Sequence, residues 1–174
     1  MSRSIYTSNN ILSLVEHQKI DDRALYENWQ DPETQRGYNG VYFDSFEDFE
    51  IRDSLRSRFF AMIRLNATHE IIGAVSVSPP ETVPDLAIWV FKPYRRQGYG
   101  SSAFALATKY VIDELKIAEL HAVVYPDNIG SQRMLKKCGF VPHPEGNIPE
   151  KHYITVEDIV QINYIYKGYV GGWI

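Results

Sequence analysis

The sequence of 174 residues contains a single cysteine, Cys138, so an internal disulfide and a cysteine-built zinc cluster are both excluded. The five histidines, His17, His69, His121, His143 and His152, lack metal-ligand spacing, and no metal is expected. No apolar run approaches the ~18 residues of a membrane-spanning helix. The segment from Met1 to Val15 mixes Ser, Asn and Thr with isolated apolar residues and has no signal-peptide core. These absences set the expectation of a cytoplasmic, reducing environment. An excess of positive charge is also missing, with 18 Lys and Arg against 22 Asp and Glu, which argues against a nucleic-acid partner. Neither a repeat nor a Gly/Ser/Pro linker divides the chain, so one domain is expected over residues 1–174.

What is present is enough for a core: 44% of the residues are apolar and 13% aromatic. Charge is uneven along the chain. Ile20 to Ser54 holds ten acids against three bases, and Lys92 to Lys137 holds eight bases against four acids. That pattern suits either two solvated helix faces or a basic half for an anionic ligand and an acidic half for a cationic one.

Periodicity and punctuation predict a mixed α/β order. A short strand covers Ile11 to Glu16, and Asp21 and Asp22 open a helix that runs to Trp29 and stops at Asp31-Pro32. Ser45, with Asp48 three residues on, opens a second helix to about Ser57. Phe59–Leu65 and Ile71–Val77 flank a short polar turn and predict a hairpin. A strand over Leu86 to Phe91, a helix over Ser101 to Leu115 and a strand over Ala118 to Tyr125 follow. A helix over Ser131 to Lys137, stopped by Gly139, and a strand over Asp158 to Tyr166 complete the order β-αα-βββ-α-β-α-β.

The segment Lys92-Pro93-Tyr94-Arg95-Arg96-Gln97-Gly98-Tyr99-Gly100-Ser101 carries the chemistry. Two glycines ahead of a helix permit a tight turn with no Cβ between the main chain and a ligand. The first helical N–H groups have no partner and the helix dipole adds positive charge there, so the bend suits a phosphate. Lys92, Arg95 and Arg96 add positive charge beside it. Gly98-x-Gly100-x-x-Ala103, with Asp127 after a later strand, also fits the dinucleotide fingerprint. Six residues including a proline separate strand from glycine here, and the preceding strands read as a meander, which disfavours that reading.

Arg95-x-x-Gly98-x-Gly100 resembles the acyl-CoA loop of the GNAT superfamily of N-acetyltransferases. The block Asn128-x-x-Ser131 to Lys137-x-Gly139-Phe140 is similar to a segment of its Rim-type branch, named for acetyltransferases of ribosomal-protein N-termini. The resemblance covers roughly Arg58 to Tyr166. It implies the GNAT fold, a central, mostly antiparallel sheet splayed at the acyl-CoA site with helices on both faces. It implies acetyl-CoA as co-substrate, its diphosphate held by Arg96, Gln97, Gly98, Gly100 and Ser101, with Arg95 opening the motif. Main-chain groups of Trp89, Val90 and Phe91 would pair with the pantetheine arm. Asn128 would hydrogen-bond that arm, and Ser131 would lie near the sulfur.

The reaction implied is direct attack of a neutral amine on the thioester. Asp85, or Glu81 just before it, would accept the proton through water; Asp85 stands where relatives often carry Glu. Leu135 stands where many members carry a tyrosine acid, which leaves Ser131 as the substitute. Asp44, Glu47, Asp48, Glu50 and Asp53 would attract an ammonium-bearing acceptor. The leading acceptor is a protein or peptide N-terminal amine. A polyamine or aminoglycoside is the alternative within the same chemistry, and a catalytically silent acyl-CoA-binding module the alternative outside it. Cys138 reads as a packing residue, Asn66-Ala67-Thr68 as a turn, and Tyr169 to Ile174 as an apolar tail that packs on the domain or on a partner.

Overall fold

Side chains alternate across strand β3 (Phe59–Leu65), and the alternation separates two cores. Phe59, Ala61, Ile63 and Leu65 face one layer of helices, while Met62 faces the other. The computed structural model describes residues 3–51 and 56–167. Asp53 and the apolar run from Tyr169 to Ile174, both singled out above, lie outside the described residues.

Two sheets form. In the first, β1 (Ile5–Ser8), β2 (Leu12–Val15), β3, β4 (Ile71–Val77) and β5 (Leu86–Val90) are neighbours in that order, all antiparallel. In the second, β9 (Asp158–Lys167) lies between β6 (Glu119–Val124) and the short β7 (Val141–Pro142), and β8 (Ile148–Lys151) also pairs with β9. Helices α4 (Tyr99–Asp113) and α5 (Ile129–Lys137) cover one face, burying Phe104 and Leu135 with Leu14, Ile72, Leu120 and Phe140. On the other face α1 (Asp22–Trp29) and α3 (Phe46–Ile51) bury Leu25 and Phe49 against Val15, Met62, Ala74 and Phe91. The mixed α/β class, the mostly antiparallel sheet and the helices on both faces are as expected.

Four elements were not expected. Asp31-Pro32 ends α1 but also starts α2 (Pro32–Gly37): Asp31 caps it by accepting from the Thr34 N–H at 3.2 Å, and Pro32 sits at its first position. β7 and β8 each contain a proline, which lacks the ladder donor and is tolerated in short edge pieces. β1, with its burial mostly exposed, gives no alternation to read. Gly73 in β4 is required by space, because a Cβ there would lie 2.0 Å from the Trp89 carbonyl oxygen of β5.

Candidate active site

The two sheets meet along β5 and β6, and the join is slight. Asp85 and His121 form one parallel bridge, and the His121 N–H donates to the Pro84 carbonyl at 2.8 Å. Beyond that point the strands part around a cavity of about 310 Å³, lined by Ile88 and Val90 on one side and by Val123, Val124 and Tyr125 on the other. The splay therefore lies at the strand where the resemblance implies it.

Asp85 lines this cavity at the closed end of the cleft. Burial pushes its carboxyl up to about 6, against the opposing pull of His121 and of the Val123 main-chain N–H. Glu81 does not join it. That residue is exposed in the turn closed by the Thr82 N–H on the Pro79 carbonyl, away from the cavity.

The pleat decides which β5 groups face the cleft. The Phe91 N–H donates to the Ile72 carbonyl of the β4 side at 2.8 Å, so residues 89 and 87 also turn their main chain toward β4. Ile88 and Val90 turn theirs toward the cleft. Their carbonyls are already engaged, Ile88 by the Tyr38 hydroxyl at 2.6 Å and Val90 by Arg95 Nε at 2.8 Å. Of the three expected strand residues, Val90 keeps a main-chain role open. Trp89 lines the cavity but has its main chain turned away, and Phe91 is buried in the α1–α3 core. Ile88 was missed, although alternation from Val90 points to it.

At the open end, Gly98 caps α4 with φ +84°, a left-handed conformation, and Arg96 has φ +62°. The Ser102 N–H makes the first helical bond, to the Gly98 carbonyl at 3.1 Å. The N–H groups of Tyr99, Gly100 and Ser101 therefore precede any intrahelical partner. A Cβ on Gly98 would meet nothing within 4 Å, so that face of the bend is clear; one on Gly100 would lie 3.5 Å from Val90 Cγ2, which sets the helix start against the end of β5. Gln97 turns its side chain back to the Pro93 carbonyl, leaving main chain as the exposed surface. Open backbone donors and a helix N-terminus fit a diphosphate.

Arg95 does not lend its charge to the bend as expected. Besides Val90, its guanidinium donates to Asp31 Oδ2 at 2.7 Å, Glu33 Oε2 at 3.2 Å, Asn28 Oδ1 at 3.1 Å and Thr34 Oγ1 at 2.7 Å. All five N–H groups are thus used within the protein. Desolvation raises the Asp31 pKa, but its bonds to Arg95 and Thr34 outweigh that, and the carboxyl sits below the usual range. Lys92 and Arg96 stay exposed, each 3.6 Å from an acid, Asp31 and Glu33 respectively.

Asn128 caps α5 by accepting from the Ser131 N–H at 3.1 Å, and both residues line the cavity beside Leu135. Opposite them stands an aromatic wall. Tyr38 stacks on Trp89 at 5.6 Å, Trp29 meets Trp89 edge-on at 5.5 Å, and the Trp89 indole N–H is buried without a protein acceptor among the described residues. Asp44, Glu47, Asp48 and Glu50 do not line the cavity, whereas Glu33 does. Asp48 instead closes the Ser45 cap, and Glu50 faces Lys19.

The sequence reading also missed Glu150. From β8, its Oε1 accepts from Asn39 Nδ2 at 3.1 Å, from Gln161 Nε2 at 3.2 Å and from the Tyr125 hydroxyl. Tyr125 and Gln161 both line the cavity. No Lys, Arg or His pairs with this carboxylate among the described residues. A lone acid beside a proline carries no sequence signal.

Residues 12–141 match the family model of the acetyltransferase (GNAT) domain. An uncharacterized N-acetyltransferase, YnaD of Bacillus subtilis, is 38% identical over 52 residues, 29% of this chain and 31% of that protein, so the match spans about a third of the relative's length. Among solved structures, spermidine N-acetyltransferase from Vibrio cholerae, in complex with CoA and spermine, superposes with a TM-score of 0.78 at 17% identity, covering 91% of this chain and 96% of that one. RimL, a ribosomal L7/L12 alpha-N-protein acetyltransferase in complex with coenzyme A, gives 0.75 at 16% identity over 94% and 98%. At such identities the likeness is one of fold.

Proposed function

The chain belongs to the GNAT acetyltransferase superfamily, and from that membership we propose that it moves the acetyl group of acetyl-CoA directly to a primary amine, foremost a protein or peptide N-terminal amine. Acetyl-CoA supplies the activated thioester. The main-chain donors of Gly98, Tyr99, Gly100 and Ser101 hold its diphosphate, flanked by Arg96 and Gln97. The cleft-facing N–H groups of Ile88 and Val90 bind along the acyl-bearing arm, and one of them polarises the carbonyl. Asn128 fixes the arm from the other lip, with its Nδ2 open among the described residues while Oδ1 caps α5. Ser131 stands by the sulfur to protonate the departing thiolate.

The observation that carries this reading is Asp85, a carboxyl with a pKa of about 6 where the split sheet closes. It takes the proton the amine loses, through water. Its strength also bears on the acceptor. An α-ammonium near 7.7–8.0 lies about two units above it and a lysine-type ammonium near 10.4 about four, at about 1.4 kcal/mol per unit. The smaller gap supports an N-terminal amine. Glu150, without a cationic partner among the described residues, attracts the ammonium form before it loses that proton.

Glu33 lines the cavity and Glu150 bonds to Tyr125 and Gln161 that line it, and two acids suit a second cation, which favours a polyamine as the second reading. Thiol release with acetyl-CoA separates them: Ser- and Ala-starting peptides, spermidine and an aminoglycoside are assayed in parallel. Peptide turnover with kcat/KM at least about tenfold above spermidine is expected. A reversed order replaces the acceptor, and CoA binding with no amine raising thiol release above hydrolysis leaves a binding module.

A further inference from the structure

The Arg95 guanidinium joins three elements that sequence distance keeps apart. Asn28 lies in the last turn of α1, Asp31, Glu33 and Thr34 open α2, and Val90 ends β5, yet one half-buried fork bonds to all of them. Its side chain is 17% exposed and that of Asp31 11%. A helix of six residues such as α2 does not hold itself in water. It is tied to β5 at both ends, by Arg95 at its start and by the Tyr38 hydroxyl on the Ile88 carbonyl just past its finish. The same arginine stands three residues before Gly98, in the bend that offers its main chain to the diphosphate.

We infer that Arg95 is a positioning residue that couples the anion cradle to the α1–α2 wall, so that filling the cradle orders the wall the acceptor meets. The inference rests on the acyl-CoA reading of that bend. When anion contacts fix the main chain around Gly98, the guanidinium is fixed with it, and its four side-chain acceptors in α1 and α2 follow. Lysine cannot substitute: three donors on a point charge do not reproduce a planar fork with five. The acetyl donor binds first in this scheme, and the amine meets a completed wall.

Hydrogen exchange over residues 22–37 tests it in the full chain, with and without coenzyme A, in wild type, Arg95→Lys and Thr34→Val. Without ligand, exchange there is expected at least about tenfold faster in both variants, since each loses charge-assisted bonds. In wild type, coenzyme A slows exchange over 22–37. In the variants it still binds calorimetrically, with Kd within about threefold, but no longer slows that exchange. A merely structural role raises exchange without abolishing the ligand's effect.

Unchanged ligand-free exchange in both variants overturns the proposal, as does protection of 22–37 that survives Arg95→Lys. A loss of coenzyme affinity above about tenfold in Arg95→Lys alone also overturns it, because the guanidinium would then sit on the diphosphate itself. If wild type binds no coenzyme A, the acyl-CoA reading falls and takes the coupling with it. The ligand-free comparison still decides whether Arg95 holds the wall. Thr34→Val keeps the test open should Arg95→Lys not fold.

Discussion

Asp85 holds its carboxyl where water is scarce, and the raised pKa has two consequences of opposite kind. For catalysis, the proposed role as base requires the carboxylate, so wild-type kcat/KM is expected to fall on the acid side near pH 6. Asp85→Asn removes this limb and lowers kcat by roughly 10²-fold or more, with coenzyme affinity retained; identical pH profiles would exclude Asp85 as the base. For stability, the folded protein binds more protons than the unfolded chain between the ordinary 3.8 and about 6. The contribution of Asp85 is thus greatest at low pH and is lost as pH rises through about 6. Asp85→Asn should raise Tm relative to wild type at pH 7.5, with the gain shrinking toward pH 4. Gly98 is a second single-residue test. At φ +84° a β-branched side chain is strained by about 1–3 kcal/mol, while its Cβ meets no protein atom. Gly98→Val should therefore remain folded with a lowered Tm and bind acetyl-CoA at least about a hundredfold more weakly in calorimetry.

Among the elements, what could be read beforehand is what local chemistry dictates. Gly98 was legible because a left-handed bend ahead of a helix demands glycine, whereas Asn128 came from the family resemblance alone and its cap on α5 is a finding of the structure. The β3–β4 hairpin was legible because strand-favouring residues flank a short polar turn. α2 was not, because Asp31-Pro32 is at once a stop for one helix and a start for the next, and only the stop was taken. The side-chain partners of Arg95 were hidden for another reason: they lie more than sixty positions upstream, and no local rule reports them. Glu150 was hidden similarly, since its donors Asn39, Tyr125 and Gln161 come from three distant segments. The α5 cap permits a test that separates structure from binding. Asn128→Ala should cost about 1 kcal/mol, read as a Tm drop of about 2–4 °C. Asn128→Ser, which still caps, should restore Tm without restoring coenzyme affinity. Recovery of both would make Asn128 a cap alone.

At the scale of the whole molecule, the weakest join is also the candidate site. β2, β3 and β4 have neighbours on both sides, and the cores on their two faces share those strands. By contrast the β5–β6 contacts gather at Asp85, through its bridge to His121, the His121 N–H on the Pro84 carbonyl and the Val123 N–H on the Asp85 carboxyl. Helices α4 and α5 span the sheets on one face, and Asn39, just past α2, bonds to Glu150, Lys151 and Tyr153. A ligand lying in the cleft, gripped by β5 and the α4 start on one lip and by Asn128 on the other, adds connections across that join. Linkage sets the size of the effect: acetyl-CoA at a hundred times its Kd stabilises the native state by about 2.7 kcal/mol. For a chain of this length each kcal/mol moves Tm by about 2–4 °C, so a rise of roughly 5–10 °C is expected in a thermal scan. Gly98→Val should show no rise at the same concentration, because the diphosphate loses its bend. Because the new contacts bridge the sheets, the exchange of β6 amides should slow together with that of β5. Protection confined to β5 and the α4 start would mean that the coenzyme rests on one lip only and that the cleft between the sheets is not its seat.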